Sequence, residues 1–154
     1  MTATLSSSSA DETRRIGEAL GGLLEVGDVV LLSGQLGAGK TVFVQGLATG
    51  LGYEGTVSSK SFVLLGEYHG KITLFHADLY RLDQPEQVGD LALDELIADG
   101  AVAVEWPERA GSRLPLEHLL VQFEIDSAES RTLILDPKGQ RAVRLRDGLT
   151  KAAA

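Results

Sequence analysis

Apolar residues recur along the chain with two different periods, and this change of period predicts alternating helices and strands. Residues 11–24 place apolar side chains at helical spacing, and Ser9 and Glu12 at the start of this segment have the spacing of a capping box. Residues 29–32 then form a short uninterrupted apolar run, which is typical of a strand buried on both faces. We therefore predict a first helix followed by a central strand.

The middle of the chain continues this alternation after a glycine-rich segment. Residues 43–51 repeat at helical spacing, and residues 62–68 and 72–76 are two extended stretches that predict a hairpin. A helix over residues 86–99 is followed by a second buried strand at residues 101–104. The pattern in this part of the chain is therefore typical of an α/β protein.

The last third of the chain predicts strands. Residues 118–125, 131–135 and 142–145 have strand-like composition, and a turn at Pro137 to Gly139 separates the last two. We therefore expect a C-terminal antiparallel meander.

Composition narrows the classes of function. A net charge of −8 opposes contact with nucleic-acid phosphates, which depends on Lys and Arg, and the absence of cysteine excludes a disulfide framework or thiolate site. The Ser-rich N-terminus lacks the apolar region of a signal peptide, and no apolar run approaches the about 18 residues that span a bilayer. We expect a cytoplasmic protein without membrane contact or strong nucleic-acid binding by this chain alone.

Residues 34–41, Gly-Gln-Leu-Gly-Ala-Gly-Lys-Thr, match the phosphate-binding pattern G-x-x-x-x-G-K-[ST]. In such a loop, backbone N–H groups surround phosphate oxygens, Lys40 reaches the β- and γ-phosphates, and the Thr41 hydroxyl holds Mg²⁺. An ordinary glycine turn is the weaker alternative, because a buried strand and a helix flank the loop. The predicted nucleotide-binding residues are Gly34, Gln35, Leu36, Gly37, Ala38, Gly39, Lys40, Thr41 and Val42.

Two carboxylates follow predicted strands and are candidates for the metal site and for catalysis together with Lys40. Asp78 follows the strand at residues 72–76, and Glu105 follows the strand at residues 101–104. The carboxyl ends of such strands line the ligand crevice of α/β sheets, so both side chains are expected beside Thr41 as Mg²⁺ ligands. The alternatives are a helix N-cap for Asp78 and a solvated strand end for Glu105.

These elements together predict one domain over residues 11–146, because the chain length suits a single hydrophobic core. We expect a P-loop NTPase-like three-layer α/β fold with a mixed central sheet, helices on both faces and the C-terminal meander. Residues 1–10 and 147–154 are expected to be flexible ends.

Three segments in this order carry a family resemblance: residues 34–41, His76-Ala-Asp-Leu-Tyr-Arg-Leu82 and Glu105-Trp-Pro-Glu108. With them the chain resembles the TsaE family, once called YjeE, over nearly its whole length. The resemblance implies a bacterial ATPase required for N6-threonylcarbamoyladenosine at position 37 of tRNAs that read ANN codons. It also implies that the chain acts with TsaB and TsaD, and that the tRNA chemistry belongs to these partners.

By position, the resemblance implies that Lys40 and Thr41 bind nucleotide and Mg²⁺, and that Asp78 and Glu105 are the catalytic and metal-site acids. It also matches Trp106 to a functionally important tryptophan, which we include among the nucleotide-binding residues; a core aromatic at a strand end is the alternative. The family's S-P-T-F segment appears here as residues 59–62, Ser-Lys-Ser-Phe, without its proline. The loop therefore loses a residue that would stiffen it and gains a positive charge.

Other functions stay open at this point. A small kinase would use Arg109 and Arg113 as lid cations, and a nucleotide-gated binding module would need no hydrolysis. A guanine-nucleotide switch is disfavoured, because the chain has no asparagine for an N-K-x-D motif. Arg81 is a weak candidate for an arginine finger in cis, so we expect hydrolysis that is slow alone and stimulated by partners.

Overall fold

The computed structural model describes residues 1–53, 64–80 and 93–153, and within these ranges the chain forms seven strands and four α-helices. In chain order they are β1 (Ala3–Ser7), α1 (Ala10–Gly21), β2 (Val29–Ser33), α2 (Lys40–Gly50), β3 (Leu64–His69), β4 (Thr73–Asp78), α3 (Leu93–Asp99), β5 (Gly100–Glu105), β6 (His118–Ile125), β7 (Arg131–Lys138) and α4 (Gln140–Ala153). A short 3-10 helix, Pro107–Ala110, follows β5.

The strands form one mixed sheet in the order β1-β7-β6-β2-β5-β4-β3. β2 pairs in parallel with β5 and β6, β4 pairs in parallel with β5, and the remaining pairs are antiparallel. The predicted central position of the first buried strand is therefore confirmed. Val30 and Leu32 of β2 pack on one face of the sheet, and Val29 and Leu31 pack on the other.

Helices cover both faces of this sheet, as predicted. Leu20 of α1, Leu47 of α2 and Leu149 of α4 belong to the core on the first face. Leu93 of α3 and Ala110 of the 3-10 helix belong to the core on the second face. The helix that begins at the glycine-rich loop thus packs in the same core as the sheet and α1.

The N-terminus of α1 confirms half of the predicted capping box. The Ser9 side chain accepts a hydrogen bond of 3.1 Å from the backbone N–H of Glu12. The Glu12 carboxylate instead accepts a hydrogen bond of 2.9 Å from the Ser8 hydroxyl. The cap therefore fixes the start of α1 through Ser9.

Both ends of the chain differ from the sequence-based expectation. Residues 1–10, expected to be flexible, include β1, whose Ala3–Ser7 pairs antiparallel with β7 at the edge of the sheet. The prediction of a strand at residues 142–145 is wrong, because Ala142, Leu145 and Leu149 are buried at helical spacing on α4. Residues 147–153, expected to be loose, complete that helix.

The rest of the predicted order agrees with the structure. β6 and β7 form the antiparallel C-terminal part, and β1 supplies its third strand. The predicted hairpin is β3 with β4, and the last part of the predicted helix at residues 86–99 is α3. Residues 62–63 and 86–92 of those two predictions lie outside the described residues. Among the described residues, no helix has both the length and the apolar composition needed to cross a bilayer.

Two glycine-bearing faces bring α1 and α2 unusually close together. A Cβ atom on Gly46 of α2 would collide with the backbone carbonyl oxygen of Arg14, and one on Gly17 of α1 would collide with that of Phe43. Backbone cannot move aside as a flexible side chain can. This close approach therefore fixes the position of the helix that carries Lys40 and Thr41.

We predict that Gly46→Ala lowers the free energy of unfolding by roughly 1–3 kcal/mol, because overpacking against backbone outweighs the better helix propensity of alanine. Gly148→Ala in α4 is the matched control, since its Cβ would meet only the end of the Leu23 side chain at 3.0 Å. Urea unfolding monitored by circular dichroism measures both. Equal stability of the two variants would contradict the proposed close packing.

Candidate functional site

The glycine-rich loop leaves β2 after Ser33 and enters α2 at Lys40. Gly34, Gly37 and Gly39 have φ angles of 147°, 82° and 105°, a region that side chains with a Cβ rarely adopt. Gly39 is the N-cap of α2 and contributes no capping side chain. The first N–H groups of α2 therefore remain for a ligand, as in an anion site at a helix N-terminus.

Burial differs along the loop and separates its residues into two groups. Ala38 and Lys40 are buried, whereas Gln35, Leu36 and Thr41 are exposed. The Thr41 hydroxyl is thus on the open side of the first turn of α2. This is where the sequence predicts a Mg²⁺ ligand.

The Lys40 side chain folds back across the loop. Its ammonium group donates a hydrogen bond of 2.6 Å to the carbonyl oxygen of Gly34 and lies 3.5 Å from the centre of the Trp106 ring. The residue is only 4% exposed, and this burial lowers the pKa of its ammonium group. Attraction to Glu105, Glu108 and Asp78 opposes that change, so three carboxylates act on one cation.

Trp106 has a left-handed backbone, with φ 59° and ψ 50°, and is the only non-glycine residue with positive φ in the described part of the chain. Its N–H donates to the carbonyl oxygen of Leu32 at 3.2 Å, which ties it to the end of β2. Its ring packs against Tyr80 with centroids 5.0 Å apart. Sparsely populated backbone conformations of this kind cluster at functional sites.

The two predicted acids lie side by side at the carboxyl edge of the sheet. Asp78 on β4 is in register with Glu105 on β5, and Glu105 is in register with Leu32 on β2. Because Leu32 and its neighbours on this face pack toward α1 and α2, strand alternation directs both carboxylates to the same side as Lys40. The structure therefore brings Asp78 and Glu105 close enough to Lys40 to act on its charge.

The alternative interpretations of the acids can be compared with this geometry. Glu105 is 3% exposed and bonded to His76, so the interpretation as a solvated strand end is wrong. Asp78 accepts a hydrogen bond of 3.0 Å from the backbone N–H of Tyr80, which resembles the capping interaction considered for it. Whether a helix follows is not described, since residues 81–92 lie outside the described ranges.

Arg131 is a residue of this site that the sequence did not indicate. Its guanidinium group donates to the carbonyl oxygens of Ala38 at 3.1 Å and Gly37 at 3.3 Å. It also donates to carbonyl oxygens in the turn before β7, at Ser127 and Ser130. One side chain at the start of β7 therefore connects the glycine-rich loop to the β6–β7 turn.

These contacts orient the peptide planes of the loop. In a trans peptide the C=O and the following N–H point in opposite directions. With the Ala38 carbonyl held by Arg131, the N–H of Gly39 points away from that guanidinium. No local pattern could have predicted this role, because the contact spans 93 residues.

A cleft of about 260 Å³ lies beside the loop, on the side of Arg131. Its lining consists of Ala10, Thr13, Gly37, Ala38, Gly39, Val42, Ala128, Glu129 and Arg131. The predicted residue Val42 is thus part of a cleft that three separate segments of the chain form. The contributions of Thr13 and Glu129 were not predicted.

The arginines that the sequence offered as lid cations or as an arginine finger are the remaining candidates. The guanidinium of Arg109 lies 5.7 Å from the centre of the Tyr80 ring, which in turn packs against Trp106. The backbone N–H of Arg113 donates to the carbonyl oxygen of Ala110, one turn earlier. Arg81 and the segment at residues 59–62 lie outside the described residues.

The fold and site together define a class: an α/β domain of P-loop NTPase-like arrangement, with a glycine-rich loop between a central parallel strand and a helix. The family model described as threonylcarbamoyl adenosine biosynthesis protein TsaE matches residues 7–133. The chain belongs to this family, which takes part in the biosynthesis of tRNA threonylcarbamoyladenosine. The resemblance carried by the three sequence segments is therefore confirmed.

Two relatives named tRNA threonylcarbamoyladenosine biosynthesis protein TsaE illustrate the similarity. The Treponema pallidum protein is 48% identical over 110 residues, which cover 71% of this chain and 82% of the relative. The Bacillus subtilis protein is 34% identical over 143 residues, covering 92% and 89%. The crystal structure of Bacillus subtilis YdiB matches with a TM-score of 0.83 at 29% identity and covers 100% of this chain and 97% of that one.

We predict that Arg131→Gln weakens ADP binding about tenfold to a hundredfold, because the two loop carbonyls lose hydrogen bonds from a charged donor. Isothermal titration calorimetry measures the dissociation constant. Arg144→Gln is the control, since Arg144 is an exposed arginine on α4. An unchanged affinity in Arg131→Gln would contradict the role assigned to the side chain.

Proposed function

We propose that the chain binds ATP and ADP with Mg²⁺ and hydrolyses ATP in the cytoplasm, acting with TsaB and TsaD in the formation of N6-threonylcarbamoyladenosine on tRNA. The observation that carries this proposal is the convergence of Lys40, Asp78 and Glu105 at the glycine-rich loop. A cation, two acids and the uncapped N-terminus of a helix are among the parts that phosphoryl transfer uses.

The electrostatics of Lys40 favour a polyphosphate ligand. Burial lowers the pKa of its ammonium group, and the attraction to Glu105, Glu108 and Asp78 offsets that change only in part. Phosphate oxygens supply negative charge at that position and stabilise the charged form. Nucleotide binding therefore exchanges the contacts of Lys40 with Gly34 and Trp106 for contacts with phosphate.

The residues present also fit Mg²⁺. The Thr41 hydroxyl with the Asp78 and Glu105 carboxylates offers hard oxygen ligands, and Mg²⁺ is commonly held by one or two carboxylates together with substrate phosphates. Within the described ranges, no group of three or more His, Asp or Glu side chains forms a site of its own. Bound Mg²⁺ would neutralise charge on the β- and γ-phosphates.

A slow basal rate is part of the proposal. Arg131 directs its hydrogen bonds to backbone carbonyls, and Arg109 packs on Tyr80. A cation supplied by a docked partner would add the charge stabilisation that an arginine finger contributes, about 10³- to 10⁵-fold in rate. TsaB and TsaD would thereby control when ATP is consumed.

The division of labour on tRNA follows from charge. A net charge of −8 gives this chain little attraction for a phosphate backbone. We therefore assign tRNA binding to the partners, TsaB and TsaD. The chain contributes the ATP cycle.

We predict that purified chain releases phosphate slowly from Mg·ATP and that TsaB with TsaD raises the rate. Lys40→Ala and Glu105→Ala abolish the stimulated rate, because each removes a group of the converged site. Lys71→Ala and Glu95→Ala are the matched controls, since both side chains are exposed, on the β3–β4 turn and on α3 respectively. A coupled phosphate assay without any small-molecule acceptor measures all five proteins.

Two results would overturn this proposal. Phosphate transfer to a metabolite instead of water would favour a kinase. Tight ATP binding without hydrolysis, combined with tRNA modification by Lys40→Ala, would favour a nucleotide-gated binding module. Stimulation by partners that survives Glu105→Ala would remove that carboxylate from the mechanism.

We further predict that chelating Mg²⁺ with EDTA stops hydrolysis and that excess Mg²⁺ restores it. Thr41→Ala raises the Mg²⁺ concentration for half-maximal rate about tenfold, because one oxygen ligand is lost. Thr49→Ala is the control on the same helix, since its exposed hydroxyl donates to the Gln45 carbonyl at 3.0 Å. Identical Mg²⁺ dependence in the two variants would exclude Thr41 as a ligand.

A further inference from the structure

Glu105, a proposed Mg²⁺ ligand, forms a hydrogen bond with a second side chain that is also almost fully buried. The Nε2 atom of His76 lies 2.6 Å from the Oε2 atom of Glu105, and the residues are 4% and 3% exposed. His76 on β4 is in register with Ala103 on β5, two residues before Glu105. Strand alternation therefore puts both side chains on the face that packs toward α2.

The chemistry of the pair fixes the direction of this bond. When the Glu105 carboxylate is ionised it only accepts hydrogen bonds, so the Nε2–H group of His76 then donates a hydrogen bond to Oε2. The other oxygen, Oε1, forms no hydrogen bond to the described part of the chain and is not an unsatisfied buried atom. On the proposed function, Oε1 is then the Glu105 oxygen available to Mg²⁺.

The backbone around Glu105 is fixed by separate contacts. Its carbonyl oxygen accepts a hydrogen bond of 3.0 Å from the N–H of Leu79, and the N–H of Trp106 donates to Leu32 at 3.2 Å. What these backbone contacts leave undetermined is the rotation of the Glu105 side chain. The bond to His76 restricts that rotation.

We propose that His76 is a positioning residue that holds the Glu105 carboxylate in the orientation needed at the Mg²⁺ site. This inference rests on the proposed ATPase function. Packing alone does not require histidine here, because Leu74 occupies the same face of β4 two residues earlier and is fully buried. A buried polar pair also contributes little net stability compared with an apolar one, so orientation is the more specific consequence of the bond.

Two substitutions separate positioning from packing. His76→Leu keeps an apolar volume like that of Leu74 but removes the donor, whereas His76→Gln places an amide N–H close to the position of Nε2. His69→Leu is the control, since His69 is exposed on β3 and bonds to Thr73. For each variant, kcat and KM for ATP are measured with TsaB and TsaD, together with the Mg²⁺-dependent gain in ADP affinity by calorimetry.

We expect His76→Leu to lower kcat about tenfold to a hundredfold and to reduce the Mg²⁺-dependent gain in ADP affinity, which is the usual effect of removing a group that orients a metal ligand. KM for ATP is expected to change less than kcat, because the loop still binds the phosphates. His76→Gln recovers most of both losses. His69→Leu behaves as the wild type.

Unchanged kcat and Mg²⁺ dependence in His76→Leu would overturn the inference. It is equally overturned if His76→Gln is as defective as His76→Leu. The same holds if the lost activity of His76→Leu equals the fraction of that variant that is unfolded, as measured by urea titration. If the wild type with its partners does not hydrolyse ATP, the ATPase proposal is rejected. The role of His76 is then decided by whether His76→Leu reduces the Mg²⁺-dependent gain in ADP affinity. Absence of Mg²⁺-dependent ADP binding as well would reject both.

Discussion

The parallel register of β2, β5 and β4 is the constraint on which the site depends. It places Leu32, Glu105 and Asp78 in one row at the carboxyl edge of the sheet, directly beside the loop that follows β2. Because side chains alternate along a strand, a slip of one residue would turn both carboxylates to the opposite face, away from α2. The buried apolar residues that fix this register therefore also fix the chemistry.

Opposite charges are concentrated around the loop without being neutralised in pairs. Lys40 is buried between a carbonyl oxygen and an aromatic ring, while Asp78, Glu105 and Glu108 attract it from the acidic side. Such an arrangement favours a ligand that carries both negative and positive charge, such as a nucleotide with its metal ion. Trp106 is part of this arrangement: its backbone is left-handed, and its ring lies over the Lys40 ammonium.

Local patterns succeeded where one segment alone decides the structure. The loop at residues 34–41, the buried runs of β2 and β5 and the Ser9 cap need only neighbouring residues, and they were predicted. The edge strand β1 was missed, because a short Ser-rich segment acquires strand structure only by pairing with β7. The apolar positions of α4 were interpreted as a strand, because four residues do not distinguish the two periods and Leu149 completes the helical one.

By itself, the sequence determined the order of strand, glycine-rich loop and helix, the two acids at strand ends and the family, since each depends on residue types at short spacing. Only the tertiary structure decided how these parts meet. The contact of Arg131 with the loop spans 93 residues, and that of His76 with Glu105 spans 29. Periodicity reports the environment of one segment, whereas such contacts depend on sheet order and register, which arise from packing of the whole core.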